Sequence, residues 1–429
     1  MDSSRETTRK QSAGPSGANV RSDCRVTLEL RSSGGVEVEL HSKVSPPDCD
    51  SIREQAAVEL KRLGVEHAVV LIEDFDALPF VRSARIETAA RKAGFKPPIS
   101  RSVSDSKGRA QSPRDRLRRS RLYVPGTEPK YFLNAVLHQP DAIILDLEDA
   151  VHPAEKDAAR ILVRNALAQL PFAAPGTETA CCERMVRINQ FPLGMEDLDE
   201  VVPENPDVIL IPKAETAEQI KAVESRIAEI QQGRGNIIWL MPIIESALGV
   251  ENAFLLASAS PKVCSLAIGL EDYTADLGVV KTESGTESIY ARARIVNAAR
   301  AAGVQASDSA YGNIGDREGL INWAVAARAL GFDGMGCVHP SQVEPIHAAF
   351  APSAQEIEKA QRIVDAFQVA TENGSGVIAL GSKMIDRPVV NRALKVLETA
   401  RKLGLMTKQC EEASAAMESG GNPRGSKAH

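Results

Sequence analysis

Eight short apolar segments recur between residues 118 and 345, and helical stretches separate most of them. Strands that alternate with helices favour a parallel sheet, because each crossover covers one face of that sheet. Eight such units in about 230 residues favour a closed TIM (β/α)8 barrel, an α/β fold, over the alternative of an open doubly wound sheet. The predicted strands comprise residues 121–124, 142–145, 185–188, 208–211, 237–243, 263–268, 304–308 and 332–338.

Two carboxylates follow predicted strands about one β/α unit apart. Glu245 follows the fifth strand, and Asp272 follows the sixth. The carboxyl ends of TIM barrel strands carry the active site, and Mg²⁺ prefers carboxylate oxygens held on rigid elements. The pair therefore predicts a divalent-metal site with open positions for water and a chelating substrate.

Two cations and a third carboxylate follow other strands. Arg187 ends the third strand and could bind a substrate carboxylate or an enolate oxygen through two hydrogen bonds. Lys213, after the fourth strand, could bind substrate as a point charge. Glu148, after the second strand, could accept a hydrogen bond from Arg187 and orient it in a substrate-binding site.

Each of these residue types also has an ordinary structural role. Lys213 could form a structural ion pair with Glu148 or Glu215, and Asp149 could be a helix N-cap. His339 could be only a turn residue. Spacing alone leaves the choice between a metal site and structural carboxylates open.

Composition and periodicity divide the chain into six segments. In order, they are a disordered tail (1–24), a small α+β domain (25–95), a flexible linker (96–117), the barrel (118–345), a C-terminal helical extension (346–406) and a second disordered tail (407–429). The tails are rich in polar and small residues, and the linker is rich in Pro, Ser and Arg. In the small domain, two alternating segments flank SSGG and predict a β-hairpin, which opens the element order ββαβα.

Charge and composition argue against two classes of partner. The 429 residues carry a formal net charge of -6, and the isoelectric point is near 5.8. No nucleic-acid or membrane-surface partner is therefore expected. The N-terminal residues lack the apolar core of a secretory signal, no apolar run reaches the length of a membrane span, and the seven cysteines show no zinc-type spacing. A cytoplasmic location is expected.

Motifs in the barrel region resemble those of a known family. In chain order they are RSRLYVPG, IILDLEDAV, VRIN, IPKAE, PIIESALG, GLEDYTADLG, GFDGMGCVHPSQV and SKMIDRPVV, and they extend over residues 118–405. The series is similar to that of the citrate lyase β-subunit family, whose relatives include HpcH/HpaI-type aldolases and the malyl-CoA and citramalyl-CoA lyases. The resemblance implies a TIM barrel that cleaves a carbon–carbon bond with Mg²⁺.

The resemblance also implies roles for individual residues. Arg187 would bind substrate, Glu245 would contact both metal and substrate, and Asp272 would be the second metal ligand. In the longer acyl-CoA lyases of the family, the aspartate of the SMID-type motif reaches a neighbouring subunit's active site. Asp386 would then be catalytic and the enzyme a homo-oligomer. Alternatively, Asp386 is an N-cap of the last helix, since Pro388 suits an early helical position.

The small N-terminal domain resembles the acyl carrier subunits of citrate lyase and malonate decarboxylase. The segments RVTLELRSSGGVEVEL (25–40) and EDFDALPFVRSARIETAARKA (73–93) carry this resemblance. These carriers bear a prosthetic group on a serine just before the first strand, and here Arg21 occupies that place with Ser22 one residue away. The domain would therefore carry phosphoribosyl-dephospho-CoA on Ser22, or it would be an unmodified carrier relative.

Together, these resemblances imply a Mg²⁺-dependent lyase. Its expected substrate is a citryl thioester, carried on CoA or on a carrier domain and cleaved to oxaloacetate and an acetyl thioester. A carrier on a linker of about 20 residues would have a high effective concentration at the barrel mouth. Malyl-CoA or citramalyl-CoA is the alternative substrate. A non-catalytic scaffold that docks an α-type transferase subunit is a second alternative.

Overall fold

The structure is a computed structural model. It describes residues 10–43, 46–96, 110–172, 182–372, 378–380 and 383–406. The predicted tail at 407–429 and most of the predicted linker, residues 97–109, lie outside the described residues. The described residues form two compact units, one up to Ile346 and one from His347 onward. The first unit contains the small α+β domain and the barrel.

The small domain is a four-stranded sheet covered by two helices. Its elements are β1 (Lys10–Ala13), β2 (Asp23–Leu30), β3 (Val36–His41), α1 (Pro46–Arg62), β4 (Ala68–Phe75) and α2 (Pro79–Lys92). The strand order is β1-β2-β4-β3, with β4 antiparallel to β2 and parallel to β3. The predicted hairpin is therefore wrong. β4 buries alternate residues and takes a central place, whereas β3, whose alternate residues are exposed, lies at an edge.

The predicted N-terminal tail contains a strand that the sequence pattern did not indicate. β1 pairs antiparallel with β2 along its whole length, and the hydroxyls of Ser12 and Thr27 lie 3.1 Å apart. The tail assignment is therefore wrong for Lys10–Ala13. The segment KQSA lacks strand-forming residues, so its conformation comes from the open edge of β2, which supplies its hydrogen-bond partners.

The barrel contains the eight predicted strands. They are β5 (Ser120–Pro125), β6 (Ala142–Asp146), β7 (Glu183–Arg187), β8 (Val208–Ile211), β9 (Trp239–Ile244), β10 (Ser265–Ile268), β11 (Gln305–Asp308) and β12 (Gly334–Cys337). Each strand pairs in parallel with the next, and β12 pairs with β5. This last pairing confirms the closed barrel and excludes the open sheet. Apolar side chains such as Ile144, Leu210 and Met241 fill the barrel interior.

Helices connect successive strands, so the carboxyl ends of all the strands lie at one rim of the barrel. The helices are α3 (Pro129–Ala135), α4 (Lys156–Gln169), α5 (Gly194–Val201), α6 (Ala217–Gln231), α7 (Ala247–Glu251), α8 (Ala253–Ala257), α9 (Leu270–Leu277), α10 (Ile289–Ala302), α11 (Arg317–Leu330) and α12 (Val343–Phe350). A capping box of Thr216 and Gln219 begins α6. Across the described ranges, no helix is long and apolar enough to cross a membrane.

The last part of the predicted linker packs against the barrel. The Ser112 hydroxyl donates to Glu183 Oε1 at 2.5 Å, and Arg118 binds the same buried carboxylate through two N–H groups at 2.7 and 2.8 Å. Arg114 donates to the Val263 carbonyl at 2.9 Å. Residues 110–117 are therefore held in place, because Glu183 at the start of β7 needs buried partners. The flexible assignment is wrong for them.

The second unit contains two helices and a short hairpin. Its elements are α13 (Ala354–Glu372), β13 (Ile378–Leu380), β14 (Lys383–Ile385) and α14 (Arg387–Lys402). The two strands pair antiparallel, and the two helices enclose a small apolar core that includes Ile363, Val364 and Leu397. This is the predicted helical extension.

Candidate active site

Arg187 ends β7 and is held by carboxylates from the adjacent strand. In the β6–β7 register Arg187 lies opposite Asp146, and its Nε and Nη2 donate to the two oxygens of Asp146, each at 2.7 Å. Its Nη1 lies 2.8 Å from Glu148 Oε2. Glu148 therefore holds the orienting position that the sequence predicted. The bidentate partner, Asp146, was not predicted.

The Arg187 guanidinium is a permanent, fixed positive charge. Burial is the largest effect on the pKa of Arg187 and lowers it, but the hydrogen bonds and charges of Asp146 and Glu148 outweigh burial and raise the pKa. The guanidinium also lies over the Tyr123 ring, 5.2 Å from its centroid. Asp146 occupies the edge formed by Nε and Nη2, and Glu148 lies against Nη1, so a ligand would share the guanidinium with both carboxylates.

Local backbone contacts fix Asp146. Its carboxylate accepts the backbone N–H groups of Glu148 at 3.0 Å and Ala150 at 3.3 Å, so the segment after β6 folds around it. On the other side, the Gly126 N–H donates to the Asp146 carbonyl at 2.8 Å. A Cβ atom on Gly126 would lie 2.5 Å from that carbonyl oxygen, which explains the glycine that ends RSRLYVPG.

Glu245 directly follows β9 and is almost fully buried, with 6% of its surface exposed. Its Oε2 accepts the backbone N–H of Lys213 at 3.0 Å, and Lys213 itself has a φ of 47°. Gly269, directly after β10, faces the other oxygen, and a Cβ atom there would lie 2.5 Å from Glu245 Oε1. The carboxylate is therefore wedged between two strand ends.

The electrostatic surroundings of Glu245 favour binding of a cation. Burial, followed by the nearby charge of Glu148, raises the pKa of Glu245 to about 8. The charge of Asp272 raises this pKa further, which places the two predicted metal ligands within electrostatic reach. The hydrogen bond from the Lys213 N–H and the charge of Arg187 lower this pKa, but they offset only part of the increase. A positive ion at Glu245 would supply the missing compensation.

Asp272 and Lys213 complete the group at the rim. Asp272 lies in the first turn of α9 with 41% of its side chain exposed, and its Oδ2 is 3.9 Å from Lys213 Nζ. The same ammonium lies 3.4 Å from Glu148 Oε1 and 3.9 Å from Asp149. Burial alone would lower the pKa of Lys213, but these carboxylates, led by Glu148, raise it. The ammonium shows that this part of the rim attracts a positive charge.

The donor set fits a cation that keeps some of its waters. Among the residues that the structure describes, no three His, Cys, Asp or Glu side chains converge as a metal-ligating cluster. Mg²⁺ commonly binds one or two protein carboxylates and completes its octahedron with water and substrate oxygens. Glu245 and Asp272 therefore suit Mg²⁺ with a chelating ligand better than a cation that needs an all-protein cage.

Several of the structural alternatives are also realised. Lys213 does pair with Glu148, whereas Glu215 accepts from the Ser246 hydroxyl at 2.5 Å. His339 caps the short turn that follows β12, where its Nδ1 accepts the Ser341 N–H at 3.2 Å. His339 therefore has the turn role that the sequence analysis gave as its structural alternative. Asp149 is not a helix N-cap, because α4 begins only at Lys156 and Asp149 instead lies 3.5 Å from the Arg187 guanidinium.

Two further predicted residues are described by their local contacts. Asp386, in the second unit, caps α14 by accepting the Val389 N–H at 3.2 Å, and its catalytic role stays a prediction. Ser22 is half-buried in the turn before β2, with a φ of 56°. Sequence reasoning also missed Gln190, whose amide donates to Glu148 Oε1 at 3.0 Å. It stands in a loop with no periodic pattern, so no signal pointed to it.

Comparisons with known proteins agree with this geometry. The HpcH/HpaI aldolase/citrate lyase family model matches residues 119–340. The chain belongs to this family. The citrate lyase β subunit of Haemophilus influenzae is 40% identical over 67% of this chain and 98% of its own length. The human mitochondrial citramalyl-CoA lyase is 28% identical over 66% of this chain and 85% of its own length. Family membership confirms the predicted carbon–carbon lyase class.

A solved structure and a second family model extend the family assignment. The CitE protein of Mycobacterium tuberculosis, crystallised with magnesium, acetoacetate and coenzyme A, matches with a TM-score of 0.55 and 30% identity. The match covers 67% of this chain and 100% of that chain. The model of the malonate decarboxylase delta subunit (MdcD) matches residues 13–93. This confirms the resemblance to a carrier subunit, and the match begins inside the segment predicted to be a tail.

Proposed function

We propose that this protein is a lyase of the citrate lyase β type that cleaves a citryl thioester to oxaloacetate and an acetyl thioester. The observation that carries the proposal is the buried, undercompensated carboxylate of Glu245, beside Asp272 and facing the fixed charge of Arg187. These are the groups that a retro-aldol cleavage needs at one place: ligands for a hard cation and a cation for the substrate's anionic end.

Glu245 and Asp272 would hold Mg²⁺. When bound, Mg²⁺ would supply Lewis-acid polarisation of the substrate's hydroxyl and adjacent carboxylate. Glu245 would become stably ionised in that state, because the positive charge offsets its burial. The missing side chain at Gly269 lets the Glu245 carboxylate lie against the end of β10, and the Lys213 N–H holds its other oxygen, so the carboxylate is preorganised for this task.

Arg187 would bind the anionic end of the substrate. Asp146 fixes the plane of its guanidinium, and the N–H groups of Nη1 and Nη2 that Asp146 and Glu148 do not use would donate to a carboxylate or to the enolate oxygen that forms on cleavage. Lys213 and Glu148 would bind or screen neighbouring polar groups at the same rim. In the reaction, the hydroxyl loses its proton, the carbon–carbon bond breaks to leave a ketone, and the thioester enolate takes a proton on carbon.

The reaction also needs a group that transfers protons. Our candidate is Asp386 of a neighbouring copy, which would make the active site depend on a homo-oligomer. Mixing inactive Asp386→Asn and Glu245→Gln proteins tests this idea, because mixed oligomers would contain some intact sites if two subunits share each site. Activity that stays absent in refolded mixtures would assign Asp386 to its N-cap role alone.

The choice of acyl group follows from the relatives and from the N-terminal domain. The citrate lyase relative is more similar to this chain than the citramalyl-CoA lyase, at 40% against 28% identity. The carrier-like domain at 13–93 favours an acyl group bound as a carrier thioester, and an α-type subunit would be a further partner. The scaffold alternative is disfavoured, because Arg187, Glu245 and Asp272 are all present at the rim.

A substrate panel tests the proposal. Purified protein with MgCl₂ should release oxaloacetate from citryl-CoA faster than it cleaves malyl-CoA or citramalyl-CoA, and EDTA should abolish the release. Asp272→Asn should lower the apparent affinity for Mg²⁺, while the matched surface change Glu229→Gln should have no effect. Cleavage of none of the three thioesters would favour the scaffold. Intact-mass analysis of native protein would show whether Ser22 carries phosphoribosyl-dephospho-CoA.

A further inference from the structure

Helix α2 of the carrier-like domain is buried on two sides. Ten of its fourteen residues are buried, although a helix on the surface of a small domain usually buries a single stripe. One side packs on β1 and β2 of its own domain, and another packs on α4 of the barrel.

A buried ion-pair network crosses this contact. Glu87 of α2 has 1% of its side chain exposed and accepts from Arg164 of α4 at 2.7 and 3.1 Å. Arg62 and Arg91 of the carrier-like domain bind the same carboxylate at 2.8 and 2.5 Å. On the barrel side, Glu200 accepts from Arg91 at 2.7 Å and from Arg164 at 2.6 Å.

The network makes separation of the two domains costly. Burial alone would raise the pKa of Glu87, but the arginines, led by Arg164, lower it to about 2, so the carboxylate is charged at neutral pH. Separation would break the hydrogen bonds from Arg164 to Glu87 and from Arg91 to Glu200 together. Asn165 adds a neutral contact, since its amide donates to the Phe80 carbonyl at 3.3 Å. A carrier that swings would need contacts that are easily broken.

A second contact places the turn before β2 beside the catalytic rim. Asp23 is buried and accepts from Arg85 at 2.7 and 2.9 Å, and Arg85 Nη2 lies 3.5 Å from the Thr127 carbonyl. Thr127 follows the carboxyl end of β5, and its neighbour Gly126 is bonded to Asp146, the residue that holds Arg187. The turn at 21–23 is therefore linked to the active site by a short series of direct contacts.

We propose that the carrier-like domain is a fixed part of the lyase. It is docked against the barrel of the same chain through the Glu87–Arg164 network, and it contacts the barrel rim in this one position. This replaces the expectation of a tethered carrier that moves on its linker. The docking itself does not depend on the proposed reaction. The consequence of the docking does depend on the proposed reaction. A group attached to the turn at 21–23 would reach the same rim without domain movement.

Cleavage of the connecting chain tests the docking. A specific protease site is inserted between residues 97 and 109 of the full chain, and the cleaved protein is examined by gel filtration and sedimentation. The two fragments should co-elute at micromolar concentration in 1 M NaCl. Arg164→Ala should weaken their association at least 100-fold. The control Arg226→Ala removes an exposed pair with Asp199 and Glu229 and should change nothing.

Hydrogen exchange of the uncut protein tests the placement at the rim. Arg164→Ala should speed amide exchange in 126–135 and in 156–169, and it should leave 217–231 unchanged. Arg91→Ala removes the link between α2 and Glu200 and one of the three arginines that bind Glu87, but it leaves the Glu87–Arg164 contact, so it gives a weaker version of the same result if Arg164→Ala does not fold. Fragments that separate at once in the unsubstituted protein would overturn the docking. Unchanged exchange at 126–135 would overturn the placement. Neither readout uses lyase activity, so a wrong substrate would not affect them.

Discussion

Replacing Glu245 by glutamine should stabilise the metal-free protein at high pH. The folded protein raises the pKa of this carboxyl from its ordinary value of 4.5 to about 8, so it prefers the protonated form in the fold. Below pH 4.5 the Glu245 carboxyl is protonated in both the folded and the unfolded protein, so it does not change the free energy of unfolding. As the pH rises through 4.5 to 8, the unfolded chain releases this proton first, and the free energy of unfolding falls.

The size of the effect follows from the same shift. A pKa difference of this size lowers the free energy of unfolding by about 5 kcal/mol at pH 8 or above. Relaxation of the fold around the charge makes the loss smaller. The glutamine amide is neutral at every pH, and its oxygen can still accept the Lys213 N–H. The variant should therefore unfold with nearly the same free energy as the original protein at pH 4.5. At pH 8 in EDTA it should be more stable by several kcal/mol.

Urea unfolding at pH 4.5, 6.5 and 8 measures this difference, with and without MgCl₂. Saturating Mg²⁺ should stabilise the original protein at pH 8, because the ion binds only the ionised carboxylate. The difference in the free energy of unfolding between the original protein and Glu245→Gln should then become smaller. Glu229→Gln, at a site with 64% exposure, controls for the amide substitution and should show no pH-dependent difference. A gap between Glu245→Gln and the original protein that does not widen between pH 4.5 and 8 would refute the reasoning.

Three further predictions concern the rim and the docked domain. Arg187→Lys should lower kcat/KM for the cleaved thioester at least 100-fold and reduce the free energy of unfolding by about 3 kcal/mol, because lysine cannot pair with both oxygens of Asp146; steady-state kinetics and urea unfolding measure both. Gly269→Ala should weaken Mg²⁺ binding about 10- to 100-fold in calorimetry, because its Cβ displaces Glu245, whereas Gly312→Ala, with no atom closer than 3.9 Å, should bind normally. Acid should release the carrier-like domain of the cleaved protein only as the pH falls from 4.5 towards 2, since the depressed pKa of Glu87 keeps its charge above that range; gel filtration at pH 7, 4 and 2.5 checks this.

Much of the barrel could be predicted because its determinants are local. A strand buried on both faces is a short apolar run, so β6 and β8 stand out from their flanking helices without any tertiary information. The strand-end rule then brought Glu245, Asp272 and Arg187 to one rim, because all strands of a parallel barrel point the same way. Motif resemblance added the expected chemistry to positions that the strand-end rule had already grouped.

The errors arose where long-range pairing overrode local pattern. The alternation in β2 and β3 is that of two strands, but nothing local indicates that β4 lies between them. The segment at Lys10–Ala13 has no strand preference and is recruited by an open sheet edge. Residues 110–117 look like a linker until their partner, the buried Glu183, is known.

By itself, the sequence determined the eight-strand barrel, the carrier-like domain and the set of charged side chains at the strand ends, because periodicity and chain order suffice for these. Only the tertiary structure decided which carboxylate holds Arg187, how strongly burial perturbs Glu245, and that Glu87 joins the carrier-like domain to α4. The physical reason is that burial and charge compensation depend on residues far apart in the chain, such as Glu87 and Arg164, whose contact no local pattern encodes.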